Sequence, residues 1–163
     1  MTHASLAFTH PSQIDAIIAA AHACRDMTLD EFNDLIGQNR IGYDVSEDKI
    51  VDLSILSRRL VDLHSLIYHF ERMEKIGSVT RASHKHPTRI TLSEKEMATF
   101  ELVLEFATDY TNDTCLDRLY DQPDISYALK KNPDFRDRVY EEVMRAVRLA
   151  EIRGQVTVWA VGQ

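Results

Sequence analysis

Apolar residues recur at helical intervals along most of the chain, and only a few short stretches break that rhythm. Ile14, Ile17, Ile18, Ala21 and Cys24 fall on one face of a helix predicted over residues 13–25, with Ser12 as its cap. Thr28 followed by Glu31 reads as a capping box opening a short helix with Leu29, Phe32, Leu35 and Ile36, which stops at Gly37. Residues 37–46 read as loop and residues 1–10 as a loose lead-in. From Ser46 or Glu47, helical character persists to Ile76, with Gly77 as a C-terminal stop. Within it Leu53, Leu56, Leu60, Leu63, Ile67 and Phe70 keep a 3-4-3-4-3 spacing.

Then the period changes. Val79–Ala82 and Arg89–Leu92 predict two short strands around SHKHPT, a hairpin with Pro87 at its tip. Ser93 and Glu96 form a second capping box, starting a long helix with Met97, Phe100, Val103, Leu104, Ala107 and Tyr110. Further helices are predicted at 113–121, 124–131 and 134–153. A closing strand is predicted over Gln155–Val161, where Val156, Val158 and Ala160 alternate with other residue types and Trp159 is a core or subunit-contact residue. MEKIGSVT (73–80) and LAEIRGQVT (149–157) form a weak internal repeat, each passing from helix through glycine into a Val-Thr strand. The predicted fold class is mainly α with a small β-sheet, in a single domain over residues 1–163.

Composition narrows the class. Hydrophobic residues are 44% and charged residues 28% of the 163, values that exclude a wholly disordered chain. Five glycines and four prolines are too few for a turn-rich β-sandwich. No apolar run approaches the roughly 20 residues that cross a bilayer. Ile14–Cys24 superficially resembles a signal-peptide core, but the first basic residue, Arg25, follows it, and Asp15 and His22 interrupt it. Cys24 and Cys115 form no CxxC, so reduced thiols in a cytoplasmic protein are expected.

Charge is segregated. The chain carries a net −7, yet residues 58–89 hold seven basic and three acidic side chains, a local +4 that leaves −11 elsewhere. Four of the seven histidines (His64, His69, His84 and His86) lie in that window. A cationic ridge on an acidic protein suits a site-specific contact with a polyanion.

Residues 66–96, LIYHFERMEKIGSVTRASHKHPTRITLSEKE, resemble the recognition helix, wing and following helix start of winged-helix DNA-binding regulators of the MarR and ArsR types. Leu66, Phe70 and Met73 match the apolar backing of that helix; Glu74, Gly77 and Val79 match its exit; and Leu92, Ser93 and Lys95 match the helix start after the wing. The resemblance implies a winged helix-turn-helix module over 46–96, flanked by supporting or dimerisation elements at 10–45 and 97–163. It implies a non-catalytic, sequence-specific double-stranded DNA-binding protein acting in transcription regulation. Ser65, Tyr68, His69 and Arg72 would meet base edges or phosphates, Arg81, Lys85 and Arg89 the backbone from the wing, with Arg58 and Arg59 assisting. A homodimer built on the helices at 13–25 and 134–153 would read a palindromic site.

A helix-turn-helix needs a break near residues 61–65, where VDLHS stands and Asp62 could cap a new helix. The leucine spacing equally fits one continuous helix of a bundle. In that case the rival reading is a helical adaptor or assembly subunit that uses its acidic surface to hold a protein partner. Chemistry is sparse. His84-Lys-His86 lacks the further ligands a metal needs, Glu94, Glu101, Glu105 and Asp109 read as a solvated helix face, and no nucleophile, phosphate-loop or dinucleotide signature occurs. No enzyme activity, metal or cofactor is expected.

Overall fold

The computed structural model describes residues 4–39, 47–76, 81–111 and 130–161. Its elements run β1 (Ala4–Phe8), α1 (Pro11–Asn39), α2 (Glu47–Ile76), β2 (Thr88–Leu92), α3 (Glu94–Thr111) and α4 (Pro133–Val161). The mainly helical class with a two-stranded antiparallel sheet is as expected; several boundaries are not.

The first two predicted helices are one. Thr28 does not cap a new helix: its Oγ1 donates to the Cys24 carbonyl at 2.7 Å, one turn back, inside an uninterrupted α1. The predicted stop at Gly37 is passed as well. At the other end, Pro11 takes the first helical position, where no N–H is needed. The cap is built by His10 and Gln13 rather than by Ser12: the Ser12 N–H donates to His10 Nδ1 at 3.1 Å. Gln13 Oε1 accepts the Thr9 N–H at 2.9 Å.

The lead-in is a strand. Leu6 and Phe8 alternate inward on β1, and Ile90 and Leu92 do so on β2; all four are buried. The two strands pair antiparallel in the register Ala4↔Leu92, Leu6↔Ile90 and Phe8↔Thr88. The predicted wing hairpin is therefore corrected in its partner: β2 pairs with the N-terminal strand. Residues 77–80 lie outside the described residues, and Arg81 and Ala82 are not in a strand. A tight turn at Ser83–His86 remains, closed by the Ser83 N–H on the His86 carbonyl at 3.2 Å.

α2 runs as a single helix of 30 residues, roughly 45 Å long. The break that a helix-turn-helix needs near residues 61–65 is absent. VDLHS contains no glycine or proline to open the backbone, and the leucine spacing gives a continuous stripe to bury. Leu56, Leu63, Leu66, Ile67 and Phe70 are buried along it. Asp62 makes an ion pair with Lys95 Nζ at 3.1 Å instead of capping a new helix.

The predicted C-terminal strand is also corrected. Residues 155–161 continue α4, so the second copy of the Val-Thr repeat is helical. The helix expected at 113–121 lies outside the described residues, as do residues 124–129 of the one expected at 124–131; Lys130 and Lys131 are helical. The core gathers Leu6 and Phe8 of β1, Ile14, Ile17 and Ala21 of α1, the inner stripe of α2, Met97, Phe100 and Val103 of α3, and Leu149, Ile152 and Val156 of α4. Phe70 and Phe100 meet at its centre, ring centroids 5.6 Å apart and tilted by 47°.

Candidate functional site

The candidate site is the outward face of α2, opposite the buried stripe. A helix turns 100° per residue, so Ile50, Ser54, Ser57, Val61, His64 and Tyr68, at spacings of 4-3-4-3-4, form one seam. All six are exposed. Val61 and Tyr68 are 61% and 63% exposed. Arg58, Ser65 and Arg72, also exposed, flank the seam on one side at seven-residue intervals.

Electrostatics set this face apart. From Ser54 to Arg72, every exposed α2 side chain is neutral or basic. The two acids of that span lie off the face and are paired: Asp62 with Lys95, and Glu71 Oε1 with His22 Nε2 at 2.8 Å. The carboxylates that would cancel Arg58 and Arg72 are thus held by other elements of the bundle.

The residues singled out in the sequence divide into groups. Arg58, Ser65, Tyr68 and Arg72 come together on the outer face. His69 does not join them: it is half-buried, and its Nδ1 is hydrogen-bonded to Glu96 Oε2. Arg59 is half-buried too, between α2 and α3. Arg81, Lys85 and Arg89 are exposed but lie on the segment leading into β2 and on β2 itself, a strand committed to β1.

The expected capping box at the start of α3 forms as written. Glu96 N–H donates to Ser93 Oγ and Ser93 N–H to Glu96 Oε1, both at 3.1 Å. Burial pushes the Glu96 carboxyl up, but the His69 hydrogen bond and the Ser93 backbone and hydroxyl bonds outweigh it, so its pKa falls below the usual glutamate value.

Sequence reasoning missed the exposed Ile50, Val51, Ile55 and Val61. For Ile50 and Val61 the signal was present, because their seam repeats every seven residues in parallel with the leucine stripe. Its serines and histidine masked it. Among the described residues no group of three or more histidine, cysteine, aspartate or glutamate side chains is placed to hold a metal. No helix among them is long and apolar enough to cross a membrane.

Comparison with protein-family models, curated proteins and solved structures finds no match. The functional reading therefore rests on the α2 face itself.

Proposed function

We propose that this protein is a non-catalytic helical adaptor whose outer α2 face receives an acidic amphipathic helix of a partner protein. The observation that carries this reading is the acid-free, apolar-centred ridge over Ser54–Arg72 on a chain of net −7. A straight helix with a heptad seam suits a second helix lying alongside it. Val61 and Tyr68 would sit in the seam, and Arg58 and Arg72 would face acidic flanking positions of the partner. Such flanking charges chiefly select the partner and its orientation.

A second reading, sequence-specific DNA binding, is favoured by the same cations: Arg58, Ser65, Tyr68 and Arg72 share one exposed face and all can donate hydrogen bonds. The unbroken α2 and the pairing of β2 with β1 argue for the adaptor, because a winged helix needs a turn before its reading helix and a hairpin after it.

One experiment separates the two. A photo-crosslinking residue replaces Val61, or Asp15 as a control, in cells that make the protein. The adaptor reading expects a protein adduct at 61 that resists nuclease, is absent at 15, and is lost with Arg72→Glu. A homodimer would appear as an adduct of twice the chain mass. The adaptor reading fails if Val61 gives no protein adduct. The DNA reading takes its place if the purified protein also retards particular genomic fragments over random competitor and Arg72→Glu abolishes that retardation.

A further inference from the structure

Two cavities adjoin in the groove beside Arg59. The larger, about 360 Å³, lies between α2 and α3 and is walled by Ile55, Ala98 and Leu102, with Arg58, Arg59 and Asp62 among its polar groups. The smaller, about 250 Å³, lies between α1, α2 and α3 against Met27, Phe106 and Cys24. Arg59 and Leu102 line both. The larger falls within the roughly 300–1,000 Å³ common for small-molecule sites.

We infer that this groove binds a small carboxylate with an apolar body, its carboxylate held on the Arg59 guanidinium. Arg59 is half-buried, and among the described residues it has no hydrogen-bond or ion-pair partner. Arg59 lines the cavity with no acceptor of its own among those residues, and a carboxylate satisfies the planar fork of a guanidinium with two parallel bonds. The surrounding charge agrees. Asp62 is occupied by Lys95, so the larger cavity presents two arginines against one carboxylate already paired. Glu31 and Glu105, both exposed, line the smaller cavity and repel an anion there. The carboxylate accordingly sits on the Arg58 side of Arg59. The apolar body lies along Ile55, Ala98 and Leu102, and the far end of a longer ligand reaches Met27 and Phe106.

Titration calorimetry of the whole chain tests this with naphthaleneacetate and its uncharged isostere naphthaleneacetamide. The expected result is saturable one-to-one binding of the acid, with the amide weaker by roughly tenfold or more, as loss of a charge-assisted pair implies. Arg59→Gln should weaken the acid by a similar factor and leave the amide unchanged. Leu102→Trp, which fills the shared wall, should remove both. No saturable heat for the acid overturns the inference, as does equal binding of acid and amide, or an Arg59→Gln protein that binds the acid as well as the parent. If Arg59→Gln does not fold, as judged by circular dichroism, Arg59→Lys decides. That variant keeps the charge but not the fork, and undiminished acid binding by it overturns the bidentate assignment.

Discussion

The side-chain amide of Gln155 bonds both backbone groups of Ala7, accepting its N–H at 2.7 Å and donating to its carbonyl at 2.8 Å. These residues are 148 positions apart. The amide presents one donor and one acceptor, as a peptide unit does, so a single residue of α4 supplies β1 with what one residue of a third strand would. Four residues earlier, Glu151 Oε2 accepts from Gln13 Nε2 at 2.6 Å, which ties α4 to the start of α1 as well.

Gln155→Ala removes two neutral hydrogen bonds and leaves part-buried backbone groups unpaired, so it is expected to destabilise the fold by about 2 kcal/mol. Gln155→Glu is expected to be at least as costly, since its second carboxylate oxygen would face the Ala7 carbonyl. Urea denaturation of both variants measures this; parent-like midpoints would remove the clamp from the account.

The continuity of α2 is tested by proline. His64 is exposed, so its side chain can be changed without disturbing the core. His64→Ala is expected to lie within about 0.5 kcal/mol of the parent. His64→Pro should cost about 3 kcal/mol or more, through a lost i→i−4 bond and a clash with the Leu60 carbonyl. A turn at residues 61–65 would instead tolerate the proline. Thermal unfolding of the pair distinguishes the two backbones.

The lowered Glu96 carboxyl makes stability depend on acid. Its folded pKa lies below its unfolded value, so its contribution is complete above the unfolded carboxylate pKa and is lost as pH falls through the folded one. Glu96→Gln should reduce stability near neutral pH and flatten the decline on acidification. Denaturation midpoints for parent and variant, taken from neutral pH into the acid range, are expected to converge at the acid end.

Cys24 is buried, and desolvation raises its thiol pKa; the nearby Arg59 charge and the Thr28 hydroxyl oppose this without overcoming it. In a Cys115→Ser background, alkylation of Cys24 in the folded protein should be slow at neutral pH and accelerate on denaturation. Labelling at the rate of a free thiol would mean that this part of α1 opens readily.

Legibility in the sequence followed the range of the interaction responsible. The Ser93–Glu96 capping box spans three residues and formed as read. So did the stripes of Ile14, Ile17 and Ala21 and of Met97, Phe100 and Val103, because helical periodicity is a local property. The apparent box at Thr28–Glu31 had the same letters and failed, since α1 stays packed past it and Thr28 bonds backward. Of the candidate site, Ser65, Tyr68 and Arg72 came from the winged-helix resemblance, with Arg58 as an assisting residue, and all four are exposed on α2. His69 was assigned to the same group, but Glu96 of α3 draws it off the face.

By itself the amino-acid order determined that the chain is mainly helical and which side of its long helices is apolar. Both follow from residue type and a period of 3.6. Only the tertiary structure decided that residues 4–8 are a strand, that β2 pairs with them, and that Gln155 of α4 bonds their backbone at Ala7. A short strand has no stability until a distant partner completes its hydrogen bonds. Helical geometry sets Asp62 and Glu71 to either side of the outer α2 face, and folding decided their partners, Lys95 and His22 on other helices.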